Sequence, residues 1–188
     1  MLVLAGTSNT PQGMAMAVLK GLLILGSVLI HELGHALVAR RYRLFPIDIT
    51  LHGLGGYTRH GGARSPGQGL AVTAAGPFAS FLLSIAFFGL GMVIPNGYVA
   101  NFCLYGGAMN AVWVVFNLLP MYPLDGGLLV FHGLSFRLSR ESALRWAARV
   151  GVVVGAVVGG WALWTGQYLL FFIVAMQLWR SVPVAFGR

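Results

Sequence analysis

Carboxylates are scarce in this chain. Glu32, Asp48, Asp125 and Glu141 are the only four among 188 residues, and charged residues together make up 9% of the sequence. A soluble domain carries about 25% charge. With 57% hydrophobic residues and a mean hydropathy of +0.80, the chain reads instead as an integral membrane protein. Its length leaves room for about five spans and no separate soluble domain. Cysteine is nearly absent: Cys103 stands alone, which excludes an intrachain disulfide and any zinc site built on cysteines. The opening residues Met1–Gly13 lack the basic n-region of a signal peptide, so the first span is expected to direct insertion itself.

The charge that is present is basic, with a formal net value of +8. Its distribution argues against nucleic-acid binding. Arg40, Arg41, Arg43, Arg59 and Arg64 fall in one connection between apolar runs. Arg137, Arg140, Arg145 and Arg149 fall in another, and Arg180 and Arg188 follow the last run. The uncharged turns, Pro95-Asn96-Gly97 and Thr165-Gly166-Gln167, alternate with these basic segments. That alternation is the positive-inside pattern of a polytopic protein. It is self-consistent for five spans, with the amino terminus outside and the carboxyl terminus in the cytosol. The size and simplicity of the chain suit a prokaryotic cell membrane.

The expected spans are 14–39, 70–94, 98–119, 143–164 and a shorter one at 168–179. Lys20 lies near the outer end of the first, where its stem would snorkel to the interface. Trp161, Trp164 and Trp179 stand near span ends, as interfacial anchors do. Ile47-Asp48-Ile49-Thr50-Leu51-His52 alternates with period two and reads as a strand. A turn at Gly53-Leu54-Gly55-Gly56 and a second strand at Tyr57–His60 would complete a small β-hairpin. Pro120 and Pro123 must break the third span. The stretch 128–138 is apolar but short, which suits a half-helix or an interfacial segment, and Ser139-Arg140-Glu141-Ser142 makes a helix start. The fold class expected is thus an all-α polytopic membrane protein with a small β-hairpin between the first and second spans. No repeat or linker marks a second domain in residues 1–188: the core is expected over 14–138, with added carboxyl-terminal spans over 143–180.

Inside the first span lies His31-Glu32-Leu33-Gly34-His35. An H-E-x-x-H pattern on a helix puts two imidazoles four residues apart on one face, where both reach one zinc ion. The glutamate beside the first histidine can then take a proton from a zinc-bound water. An ionisable residue at bilayer depth is expensive and is a functional-site candidate by default.

A catalytic zinc needs a third protein ligand. The best remaining candidate is Asp125, in Asn117-Leu118-Leu119-Pro120-Met121-Tyr122-Pro123-Leu124-Asp125-Gly126-Gly127. Here a span ends in a double-proline break, and irregular backbone at membrane depth is tolerated only where it lines protein or a watery cavity. Read blandly, Asp125-Gly126 is ordinary turn chemistry and Asn117 a helix-end cap.

These two segments, HELGHALVA over 31–39 and NLLPMYPLDG over 117–126, resemble the two signatures of the site-2 protease family of intramembrane zinc metalloproteases. The resemblance covers about Val28 to Gly127. It implies that His31, His35 and Asp125 bind one zinc ion per chain and that Glu32 is the general base. Asn117 would lie near the site and hydrogen-bond the substrate carbonyl or the developing oxyanion. The glycine-containing hairpin at Gly53–Gly56 would hold an unwound substrate by strand addition. The family's GPxxN element appears as Gly76-Pro77-Phe78-Ala79-Ser80, with serine in place of asparagine, and Gly76 and Ser80 also fit small-xxx-small helix packing. No PDZ-like or CBS-like insertion fits the length, so regulation by such a domain is absent or comes from another chain.

The activity implied is cleavage of a peptide bond within or near transmembrane segments of membrane proteins, at a site nearer the cytosolic face. The alternatives are a catalytically silent scaffold or chaperone of the same fold, a metal carrier, and hydrolysis of a lipid or other amide. A carrier would need polar residues through both halves of the membrane, and the outer half here is nearly all apolar. His52, His60 and His132 read as strand, loop and half-helix residues rather than ligands.

Overall fold

Thr10 opens the first helix: its hydroxyl accepts from the Gly13 amide at 3.2 Å, and Pro11 takes the first helical position. Proline is suited to that place because its missing N–H would have had no partner there. From this cap α1 runs over Pro11–Arg41 and ends with Arg40 and Arg41 in its last turn, where cations complement the helix dipole. The remaining elements are β1 (Ile47–His52), β2 (Gly55–His60), α2 (Pro66–Val93), α3 (Gly97–Asn117), α4 (Asp125–Leu134), α5 (Arg140–Trp164) and α6 (Tyr168–Phe186). All helices but α4 are long and apolar enough to cross a membrane. This computed structural model describes residues 10–52 and 55–187. Gly53 and Leu54, in the expected hairpin turn, lie outside the described residues.

Contacts divide the chain into two compact units. One takes the chain through Gly61 together with Ala75–Val114, the other Gly62–Ala74 and Val115 onward. In the first unit the antiparallel hairpin pairs Ile47 with His60, Ile49 with Thr58 and Leu51 with Gly56, and both strands pack on α1. Period-two alternation puts Gly56, Thr58 and His60 half-buried on one face, with Tyr57 and Arg59 exposed on the other. Helix α1 buries a single stripe: Ser27, Val28, His31, Glu32, His35, Ala36 and Ala39. Leu29, Leu33 and Leu37 on its other faces are exposed, as befits a surface solvated by lipid tails.

In the second unit α5 packs against α6 and α4. Its buried stripe consists of alanines and glycines from Ala143 to Ala162, and Phe131 of α4 packs on Ala143 and Ala147. Ser139 caps α5 by accepting from the Ser142 amide at 3.3 Å, in agreement with the expected start.

The observed elements differ from the expected ones at several ends. β2 begins at Gly55 rather than Tyr57, because a half-buried strand can include glycine where backbone approaches a neighbour closely. α3 ends at Asn117 rather than at 119, since Pro120 disfavours helical geometry at Leu119 and its ring would meet the carbonyl of Phe116. α4 covers Asp125–Leu134, about 15 Å, so it starts three residues before the apolar stretch 128–138 and stops four residues before its end. α6 continues to Phe186 because Arg180 marks an interface in sequence but does not stop a helix.

Candidate metal centre

Four-residue spacing stacks His31 and His35 on the buried stripe of α1, at 4% and 8% exposure. Their Nε2 atoms approach to 3.2 Å with the ring planes nearly perpendicular, at 80°. Two imidazole nitrogens aimed at one another inside an apolar helix bundle need a shared proton or a cation between them. Nitrogens each about 2.0–2.1 Å from a tetrahedral zinc stand about 3.3 Å apart, so the pair fits that ion without rearrangement.

Helix α2 shapes the place of both rings. A Cβ on Gly76 would lie 2.2 Å from His35 Nε2, so the absence of a side chain there makes room for the imidazole. One turn on, the fully buried Ser80 sets its hydroxyl 3.1 Å from His31 Nδ1. With Nε2 given to a metal, Nδ1 would carry the proton and donate to Ser80 Oγ. Outer partners of this kind fix the tautomer and orientation of a metal-binding histidine. Small-residue packing and service to the site are therefore the same fact at these two positions. α2 runs through Pro77 without ending.

Glu32, 5% exposed, faces the hairpin. Thr58 Oγ1 of β2 lies 2.7 Å from its Oε2 and 3.0 Å from its backbone carbonyl oxygen. Thr58 is a residue the sequence reading missed. Alternation put positions 56, 58 and 60 on one face, but nothing in the sequence says that this face meets α1 at Glu32. The interior near the pair carries further polar contacts. The Asn110 amide donates to Ser27 Oγ at 3.0 Å, and Ser84 donates to the Gly107 carbonyl at 2.8 Å. Lys20 rests its ammonium 4.8 Å from the Tyr105 ring centre.

The second unit holds Asp125 and Asn117. Asp125 is the first residue of α4 and is buried at 9% exposure. A carboxylate is favoured at a helix N-terminus, where unpaired N–H groups carry partial positive charge. The segment between α3 and α4 is a folded turn: Met121 and Leu124 donate to the carbonyls of Leu119 and Met121, at 2.6 and 2.7 Å. Ser181 of α6 donates to the Tyr122 carbonyl. A Cβ on Gly126 would stand 2.3 Å from the carbonyl oxygens of both Leu118 and Leu119. Only glycine lets α4 start against the end of α3. Asn117 is half-buried at the last position of α3.

Of the remaining histidines, His52 is exposed on β1, and His60 Nδ1 lies 2.6 Å from the Gly61 carbonyl. The His132 ring packs where a Cβ on Gly69 would stand.

Residues 20–100 match the model of Peptidase family M50. The chain is 34% identical over 191 residues to Rip3 of Mycobacterium tuberculosis, an alignment covering 87% of this chain and 49% of that protein. It is 29% identical over 184 residues to a zinc metalloprotease of Methanocaldococcus jannaschii, covering 95% of this chain and 49% of the other. The chain spans about half the length of these relatives. The solved structure of the site-2 protease from Methanocaldococcus jannaschii matches in fold with a TM-score of 0.70 at 24% identity, over 95% of this chain and 81% of that one.

Proposed function

The chain belongs to Peptidase family M50, the site-2 proteases, and from that membership we propose that it is a zinc-dependent endopeptidase cutting a peptide bond within or near the transmembrane segments of membrane proteins. His31, His35 and Asp125 hold one zinc ion per chain. Zinc, when bound, supplies a Lewis acid that polarises a carbonyl and brings the pKa of water at the site toward about 7. Glu32 takes a proton from the attacking water and delivers it to the departing amine nitrogen. Asn117 donates to the substrate carbonyl oxygen, where negative charge builds. The hairpin receives the substrate as an added strand, because a helical peptide bond is shielded and must be extended before water attacks it.

The observation that carries this reading is the pair of Nε2 atoms 3.2 Å apart, with a buried carboxylate one residue from the first histidine held by Thr58. The buried Asp125 at the head of α4 is the carboxylate the family motif assigns as third ligand. The basic connections put the amino terminus outside and the site nearer the cytosolic face. The segment over about 14–138 forms the catalytic core.

The test is metal content and cleavage on purified protein. One zinc per chain is expected, with cleavage of single-span test proteins lost in Glu32→Gln while zinc stays. Zinc lost in Asp125→Ala identifies the third ligand. Failure to take up zinc after reconstitution overturns the reading, and zinc without cleavage of any test protein returns the silent scaffold.

A further inference from the structure

A carboxylate that acts as a base needs a fixed direction, and Glu32 gets one from outside its own helix. We propose that Thr58 is the positioning residue of Glu32: its hydroxyl holds Oε2 as an acceptor and leaves Oε1 as the oxygen that exchanges the proton. The inference rests on the assignment of Glu32 as base.

A threonine hydroxyl has one proton, and two acceptors lie within reach of Thr58: Glu32 Oε2 at 2.7 Å and the Glu32 carbonyl oxygen at 3.0 Å. The carbonyl belongs to the middle of α1 and already accepts a helical hydrogen bond. An ionised carboxylate is the stronger acceptor and makes the shorter bond, so the proton goes to Oε2. A buried carboxylate without such a donor would be costly, and Glu32 is 5% exposed.

The strand also decides where the other oxygen looks. Gly56 lies two residues before Thr58 on the same face of β2. A Cβ there would stand 2.9 Å from Glu32 Cγ and 3.2 Å from Oε1. Thr58 therefore pins one oxygen while Gly56 leaves clear the space beside the other. Both belong to the hairpin read above as the receiver of extended substrate. Substrate docking and base alignment are then set by one element. Threonine suits the task because a β-branched side chain in a strand has few χ1 states.

Two replacements separate positioning from mere packing. Valine keeps the shape and the strand preference of threonine but has no donor, whereas serine keeps the donor and gives up both. If Thr58 only packs, Thr58→Val is the milder change. If it positions Glu32, the order reverses. Thr58→Val should lower kcat about ten- to a hundredfold, the loss of one hydrogen bond to a charged group. KM and zinc content should hold, and Thr58→Ser should recover most of the rate.

A second readout does not depend on cleavage. This sequence has two glutamates, Glu32 and Glu141, so ¹³C-glutamate labelling with Glu32→Gln as the blank isolates the Glu32 carboxylate stretch in the infrared. That band should move in Thr58→Val and stay in Thr58→Ser. An unmoved band in Thr58→Val overturns the inference, as does a valine variant as fast as the parent or faster than serine. Absence of cleavage in the parent protein, with the band shifting as described, counts against the protease reading and leaves the positioning contact standing.

Discussion

The stripe that α1 buries and the stripe that α5 buries are both narrow faces of long apolar helices, yet they are built from opposite chemistry. On α1 the buried positions include Ser27, His31, Glu32 and His35, and each meets a polar atom on another side chain. On α5 they are Ala143, Ala147, Ala148, Gly151, Gly155, Gly159 and Ala162. Lipid tails are as apolar as leucine, so burying a large side chain brings little driving force to helix association in a membrane. What remains is hydrogen bonding or close backbone approach. The first unit uses the former around His31, Glu32 and His35, and the α5–α6 pair relies mainly on the latter. Polar contacts supplement it on that side: Arg149 Nε of α5 donates to the Ala185 carbonyl of α6 at 3.2 Å, and Ser181 of α6 ties down the Tyr122 carbonyl of the segment leading to Asp125.

The contrast breaks most sharply at Glu32. Glu32→Gln should cost on the order of 10³-fold in cleavage rate with zinc retained, measured by turnover of a single-span substrate alongside metal analysis. Next in size is Gly76→Val, whose side chain would occupy the place of the His35 ring. Zinc affinity should fall more than about a hundredfold, beyond the range of outer-shell changes, as read by competition with a chelator.

Ser80→Ala removes the acceptor of His31 Nδ1 and should weaken zinc about ten- to a hundredfold. Ser80→Asn, which restores a hydrogen-bonding group, should recover part of the loss if the contact orients the ring. On the other side of the comparison, Ala147→Leu forces a larger side chain into a fully buried position against Phe131. That should cost about 1–3 kcal/mol of stability, seen as a lower thermal midpoint in detergent. Smallest is Glu141→Ala. Its bond to Arg145, 2.7 Å long between exposed groups, is worth about 0.3–0.5 kcal/mol, and the midpoint should scarcely move.

Much of this was legible in the linear order of residues. Apolar runs broken by arginine clusters mark the helices of a membrane protein because hydrocarbon admits little else, and all five expected spans appear as long helices. The period-two stretch at Ile47–His52 forms its strand, and the double-proline break separates α3 from α4. Ends were less legible: Gly55 joins β2 through its neighbours, and α6 outlasts the arginine that marks the interface. Within the site, His31, Glu32 and His35 are readable because their spacing is a property of one helix. Ser80 and Gly76 were visible as small residues, but their partners were not, and Thr58 was visible only as a strand position.

The division has a physical cause. Period, charge placement and proline are local, acting over one or two turns, so the sequence alone determined a polytopic helical protein with two histidines and a glutamate on one buried helical face. Which hydroxyl meets Oε2 of Glu32, which serine meets Nδ1 of His31 and which glycine clears the ring of His35 depend on how α2 and the hairpin register against α1. That register is set by packing between segments distant in the chain, at a precision of tenths of an ångström, and only the tertiary structure decided it.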